Sequence, residues 1–145
     1  MATTFPLIDT NTDELRCIFK KWASSRGVNY RSLHEFIAFD RLLETCDENI
    51  SVTRIAINGI QVGFIITEML NQEDAICHFY KADFSYKGLY EALLWEAAKM
   101  LNDRGIQYLN FEQDLGIDTL RQSKEKYKQH SFFKKYIVER KADRL

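Results

Sequence analysis

Residues 51–101 read SVTRIAINGIQVGFIITEMLNQEDAICHFYKADFSYKGLYEALLWEAAKML, and within this span the hydrophobic period changes from two to nearly four. Residues 51–57 are rich in β-branched side chains and stop at Asn58-Gly59, a pair suited to the positive φ angles of a tight hairpin. Residues 60–69 form the returning strand. The turn Asn71-Gln72-Glu73-Asp74 leads into a third strand over 75–82. From Gly88 onward Leu89, Ala92, Leu93, Glu96, Ala97, Met100 and Leu101 recur at spacings of three and four, which marks one helical stripe that Gly105 stops.

Upstream, Thr12 reads as a capping hydroxyl followed by Asp13-Glu14 in a first helical turn. Leu15, Ile18, Phe19 and Trp22 then keep helical spacing, and Gly27 closes the segment. A second helix is predicted over 31–46, with Leu33, Phe36, Ile37, Leu43 and Cys46 inward. Downstream, 106–112 reads as a strand, 117–127 as a helix and 132–138 as a final strand. The predicted order is α-α-β-β-β-α-β-α-β. That order describes an α/β (or α+β) mixed sheet with flanking helices.

The rest of the composition narrows the class. At 145 residues with one proline, Pro6, the chain fits a single domain spanning 1–145. Residues 1–11 lack the basic and apolar regions of a signal peptide. The longest apolar run, 60–70, is broken by Gln61, Gly63 and Glu68, so no membrane span and a cytoplasmic location are expected. Cys17, Cys46 and Cys77 are far apart and form no Cys-x-x-Cys, which points to small buried hydrophobes in a reducing compartment. From Arg121 onward nine Lys/Arg face three acids, leaving the remainder of the chain seven negative. Such asymmetry fits either a surface for phosphate-rich partners or a solvated lysine-rich end.

Few residues stand out chemically. Asn110, Glu112 and Asp114 lie two apart and share a face if the strand persists that far. Glu112 then reads as a general base for an acceptor amine, or Asp114 as the cap of a helix beginning near Leu115. Lys124 sits one turn before Tyr127 on the predicted helix. Cys77 and His78 are neighbours on a strand and point to opposite faces, which excludes a nucleophile–base pair; His78 reads as a half-buried, satisfied histidine. Lys81 and Asp83 share a face and are able to pair. His34-Glu35-Phe36-Ile37-Ala38 has Ala38 where a zinc-protease motif needs its second histidine, and no metal is expected.

Several of these residues carry a resemblance. The element order is similar to that of GNAT acyltransferases, which place an additional strand first; residues 5–8 are a poor substitute for it. His78, Lys81-Ala82-Asp83, Tyr86, Gly88-Leu89-Tyr90, then Asn110, Glu112, Asp114, Gly116, Leu120-Arg121, Lys124 and Tyr127, and the closing Lys134-Lys135-Tyr136 together resemble a further pattern. It is that of an uncharacterised bacterial family related to the C-terminal catalytic domain of phosphatidylglycerol lysyltransferases. Full-length members look like two tandem GNAT-like domains, of which this chain matches the second.

The resemblance implies transfer of an acyl or aminoacyl group from acetyl-CoA, another acyl-CoA or aminoacyl-tRNA to an amine or hydroxyl on a small-molecule or lipid acceptor. It implies a donor held by Lys81, Lys87, Gly88, Leu89 and Lys124, with catalysis by Glu112 as base, Tyr127 as acid, and Asn110 beside them. In GNAT acyltransferases the loop that matches the one before the Gly88 helix holds the pyrophosphate of CoA; here Ser85 replaces a long polar residue and Tyr90 a small one. Lys124, Lys126, Lys128 and Tyr127 suggest contact with tRNA or anionic lipid. A homodimer or a partner GNAT-like domain is the assembly implied. The rival reading is a non-catalytic binding module on the same fold, or half of a two-chain enzyme.

Overall fold

The computed structural model describes residues 1–45, 47–132 and 136–139. They fall into two compact units, 1–112 and 113–145. The first holds a mixed sheet of order β1-β2-β3-β4-β5, built from β1 (Ala2–Pro6), β2 (Ile50–Ile57), β3 (Ile60–Met69), β4 (Asp74–Ala82) and β5 (Tyr108–Asn110). The first four strands are mutually antiparallel, and β5 alone runs parallel to its neighbour β4. α1 (Thr12–Ser25) and α2 (His34–Leu43) connect β1 to β2, and α3 (Leu89–Asp103) crosses from β4 to β5. The second unit contains α4 (Asp118–Glu125).

The three strands and the hairpin read from 51–82 are present, with Asn58 at φ 51° and Gly59 at φ 80° in the turn. Several boundaries differ from the sequence reading. A first strand does exist: residues 2–6 pair with 51–55 of β2, while Leu7–Asp9 is a short 3-10 turn. The cap of α1 is Asn11, whose side chain accepts the Asp13 amide at 3.1 Å, and Thr12 is already helical. α2 follows a 3-10 turn at Tyr30–Ser32, and this shifts its inward phase. Phe39 is completely buried, while Ile37 is 48% exposed. The buried stripe of α3 is narrower than predicted, consisting of Leu89, Leu93, Ala97 and Leu101. Cys17 is exposed, contrary to expectation, Cys77 is buried, and Cys46 lies outside the described residues. No strand is assigned to Phe132 or to residues 136–139, so the expected last strand is not seen there; Lys134 and Lys135 lie outside the described residues.

The core is split by the sheet. On one side Leu15, Ile18 and Phe19 of α1 and Phe39 and Leu43 of α2 pack on Val52, Phe64, Ile66 and Phe79. Phe39 is the hub: its ring lies 4.9 Å from Phe19, 5.5 Å from Phe64 and 5.2 Å from Phe79. On the other side Leu89, Leu93 and Ala97 of α3 cover Val62, Ile65, Cys77 and Ala82.

Two β-bulges assign side chains to these faces. Ile66 opposes Phe79 and Thr67 opposes Cys77, so His78 is an extra residue in β4. Ala75 and Cys77 therefore pack on the α3 side, whereas Phe79 packs against α2. An unbroken strand would have put all three on one face. Likewise Ile55 opposes Gly63 and Ala56 opposes Gln61, leaving Val62 extra in β3.

Gly63 sits where α3 comes closest to the sheet. A Cβ there would lie 2.7 Å from Leu93 Cδ1 and 3.2 Å from the Ala82 Cα. Gly63→Ala is expected to cost about 1–3 kcal/mol through overpacking against backbone. Phe39→Ala is expected to cost about 3–5 kcal/mol through the cavity it leaves. Urea unfolding of both variants checks these values, and a neutral Gly63→Ala would show that α3 gives way without cost.

Candidate active site

β4 and β5 pair only over three positions, Asp74–Tyr108, Ala75–Leu109 and Ile76–Asn110. β4 then continues to Ala82, whereas β5 ends at Asn110. The side chain of Asn110 explains the stop. Its Oδ1 accepts the Glu112 amide at 2.8 Å, a turn that competes with the ladder. Glu112 adopts φ 55°, a left-handed conformation uncommon for a residue with a Cβ. Asn110, Glu112 and Asp114 therefore do not continue as one strand face. The sheet opens between β4 and β5, leaving the second half of β4 with an edge that β5 does not pair. The Asp83 amide bonds back to Val62 on β3 at 2.9 Å, so the Ala82 amide, one residue earlier, points to the open edge.

His78 stands on the bulge where the strands part. Its Nε2 lies 2.6 Å from Glu68 Oε2, and its Nδ1 lies 3.7 Å from Glu112 Oε1. Glu68 comes from the end of β3, opposite Ile76. The three side chains retain 23%, 28% and 45% exposure for His78, Glu68 and Glu112. This His–Glu constellation was not legible in the sequence, since Glu68 and His78 meet only through the strand register. Its one signal was a glutamate and a histidine on the two strands of a predicted hairpin, diagonal to one another rather than facing.

Lys81 lies on the opposite side of the sheet from Tyr80 and Ala82. Its Nζ is 2.6 Å from Glu35 Oε1 and 3.9 Å from the centroid of the Trp22 ring. Its partner is thus Glu35 of α2 rather than Asp83, which instead binds the Ser85 hydroxyl at 2.7 Å and amide at 2.9 Å. Those two bonds hold the Asp83 carboxyl below its usual range. Burial lowers the Lys81 ammonium from its ordinary value, and Glu35 partly restores it.

The loop after β4 turns at Gly88, φ 80°, which is the N-cap of α3. A Cβ there would meet nothing within 4 Å, so the glycine serves the left-handed turn and not a close approach. Leu89 is buried beneath α3. Tyr90 does not stand over the helix end. Its hydroxyl accepts the Ala82 amide at 3.2 Å, its carbonyl accepts the Tyr80 hydroxyl, and its ring packs against Tyr80 and Phe84. Burial raises the phenol above its ordinary value, so Tyr90 stays neutral and able to cap that edge.

In the second unit, Asp114 Oδ1 accepts the Gly116 amide at 2.9 Å and its Oδ2 holds Arg121 Nε at 2.6 Å. These contacts hold its carboxyl down. The cap position of α4 belongs to Ile117, so Asp114 shapes the preceding turn and does not cap a helix at Leu115. Lys124 Nζ donates to the Gln113 carbonyl at 2.8 Å. Tyr127 falls just beyond α4, with its amide on the Lys124 carbonyl and 45% of its surface exposed. Among the described residues no group of three His, Cys, Asp or Glu is placed to hold a metal, and no helix is long and apolar enough to cross a membrane. A broad concavity is lined by Ile8, Thr45, Asp47, Glu48 and Asn49, none of them a residue singled out from the sequence.

The model of the phosphatidylglycerol lysyltransferase C-terminal family matches residues 2–139. Among solved structures, a conserved protein of unknown function from Bacteroides thetaiotaomicron superimposes with a TM-score of 0.75 at 24% identity. That match covers 90% of this chain but 44% of the other, so the chain spans less than half of that protein's length. A ribosomal-protein-alanine N-acetyltransferase from Brucella melitensis matches with a TM-score of 0.67 at 18% identity, over 96% and 99% of the two chains. An aminoglycoside N-acetyltransferase in complex with CoA matches at 0.61 and 11%, over 99% and 96%. The fold is thus that of the GNAT acetyltransferases. A search of curated proteins returns no match.

The Lys81–Glu35 pair yields a testable pH dependence. A lysine whose folded pKa lies below its unfolded value binds fewer protons folded than unfolded, so stability rises with pH through that interval. Glu35→Gln removes the group that restores Lys81, widening the interval. The variant is expected to lose about 1–3 kcal/mol at pH 7. It should recover more of its stability than the wild type between pH 7 and pH 9.5. Urea melts at both pH values decide this, and equal recovery would show that Glu35 does not hold the ammonium.

Proposed function

The chain belongs to the family of phosphatidylglycerol lysyltransferase C-terminal domains, and we propose that it transfers an acyl or aminoacyl group to an amine or hydroxyl acceptor at the opening between β4 and β5. The observation that carries this reading is the six-residue stretch of β4, 77–82, that runs on past its last β5 partner. A strand that runs on past its neighbour presents backbone amides in a fixed row. Such amides polarise a donor carbonyl and stabilise the oxyanion that forms on attack. The glycine-capped start of the long helix α3 lies directly after that strand, and a helix N-terminus favours the phosphates of a donor.

In this reading Lys87, Gly88 and Leu89 receive the donor's phosphate-bearing end, the backbone beside Lys81 its carbonyl, and Lys124 supplies further positive charge. Glu112 is the base that receives a proton from the acceptor, with Asn110 fixing its backbone. Tyr127 is the proton donor to the leaving group, by its place in the family pattern. Acyl-CoA is the donor favoured by the fold's likeness to a CoA-bound acetyltransferase; aminoacyl-tRNA is the donor favoured by the family's name and by the basic residues from Arg121 onward. The acceptor is a small molecule or a lipid headgroup.

A second reading rests on Tyr90. Its hydroxyl already occupies the Ala82 amide, and a ligand that needs that amide has to displace it. This favours a binding module, or one half of a two-chain enzyme completed by a second GNAT-like domain.

Calorimetric titration with acetyl-CoA and with an aminoacylated tRNA, each at two salt concentrations, separates these readings. Saturable acetyl-CoA binding supports the acyl-CoA enzyme, and salt-sensitive tRNA binding alone supports aminoacyl transfer. Absence of both supports the module. If the open edge takes the donor, Tyr90→Phe is expected to tighten acetyl-CoA binding about three- to tenfold by releasing one amide. An unchanged or weaker affinity would place the donor elsewhere.

A further inference from the structure

His78 and Glu112 present two hydrogen-bond acceptors to the same point. Glu68 Oε2 at 2.6 Å from Nε2 is a carboxylate in contact with a ring nitrogen, and a carboxylate only accepts, so the ring proton belongs on Nε2. In the neutral ring Nδ1 then carries the lone pair. It faces Glu112 Oε1 at 3.7 Å, beyond hydrogen-bond distance, so no proton joins these two atoms directly. Two acceptors thus stand side by side, partly exposed, where β5 leaves β4. Three local features place them there: the bulge that inserts His78, the register that brings Glu68 alongside, and the Asn110 bond that holds Glu112 at a positive φ. A left-handed conformation at a residue with a Cβ costs energy that the surroundings must offset, and such residues cluster at functional sites.

We infer that His78 Nδ1 and Glu112 Oε1 form a two-point receptor for a primary ammonium, that Glu112 takes its proton, and that Glu68 is the positioning residue fixing the ring. A primary ammonium brings three N–H donors, so one nitrogen satisfies both acceptors at about 2.8 Å each. A hydroxyl brings one donor and leaves the second acceptor unmatched. The site therefore selects an amine over an alcohol, which narrows the acceptor class of the proposed transfer and rests on that reading for its chemistry. In the reaction the ammonium gives one proton to Glu112 Oε1. The freed nitrogen lone pair forms the C–N bond at the donor carbonyl carbon, and the bond from that carbon to sulfur or ester oxygen breaks. The second proton passes from nitrogen to the departing thiolate or alkoxide.

The test reads the ring itself, in the full chain, by nitrogen-15 NMR with the His78 signals identified through His78→Gln. The expected result is an Nε2–H tautomer with a bare Nδ1. Titration with n-propylammonium chloride should shift Nδ1 saturably, while propan-1-ol and tetramethylammonium should not. Glu112→Gln should weaken the propylammonium response about tenfold or more. Glu68→Leu should mix the two tautomers, and Glu68→Gln, whose carbonyl still accepts from Nε2, should restore the single form. An Nδ1–H tautomer in the wild type, or an equal response to propanol, overturns the inference. Loss of all acyl transfer with propylammonium binding intact would instead remove the transferase reading and leave the ammonium receptor standing.

Discussion

A single inserted residue governs the useful part of this molecule. His78 has no partner position on β3, and the bulge it makes reverses the direction of every side chain that follows it in β4. Without that reversal Phe79 would leave the aromatic cluster around Phe39 and turn towards α3, and Lys81 would lose Glu35 and Trp22. Both faces of the strand are filled, so neither half can slip by one residue without exposing apolar groups and burying wrong ones. The bulge is thereby fixed from both ends. A residue locked in place by two packed cores is a rigid place from which to hold an imidazole.

The opening beside β4 follows from a second local competition. Asn110 spends its side chain on the backbone two residues ahead, and the parallel pairing of β5 ends there. β4 owes its further order to β3 and to the helices on either side, not to β5. The result is a strand whose backbone is held by β3 along one edge and runs on past β5 along the other. This is the arrangement a group-transfer enzyme needs, because donors that are prearranged cost nothing to reorganise as charge develops.

The legible parts of the fold were those set by local chemistry. Asn58-Gly59 names its own turn, the β-branched runs around it name their strands, and the four-residue rhythm from Leu89 to Leu101 names α3. β1 escaped because five residues ending in Pro6 have no pattern of their own and become a strand only by pairing with β2, some fifty residues away. The phase of α2 is not legible from spacing because a 3-10 turn precedes it and resets which residues face inward, burying Phe39 and exposing Ile37. Residues 75–82 concealed their bulge for a related reason. With both faces buried, alternation carries no information about which side is which. Glu112 was singled out on its spacing from Asn110 and Asp114, a strand argument that does not hold, whereas its nearness to His78 depends on where β5 stops.

The contact between Tyr90 and Ala82 has a consequence for solubility. A strand edge that runs on past its neighbour is a template on which another chain can add, and proteins guard such edges. Tyr90 holds the outermost amide of that edge with a neutral hydroxyl borrowed from the following helix, and its ring fills the space beside Tyr80 and Phe84. A phenol that accepts one hydrogen bond can be exchanged for a ligand atom that accepts the same bond, but it gives an incoming strand no continuous ladder to join. The tyrosine thus acts as a removable stopper, protecting the edge against self-association while leaving it open to exchange.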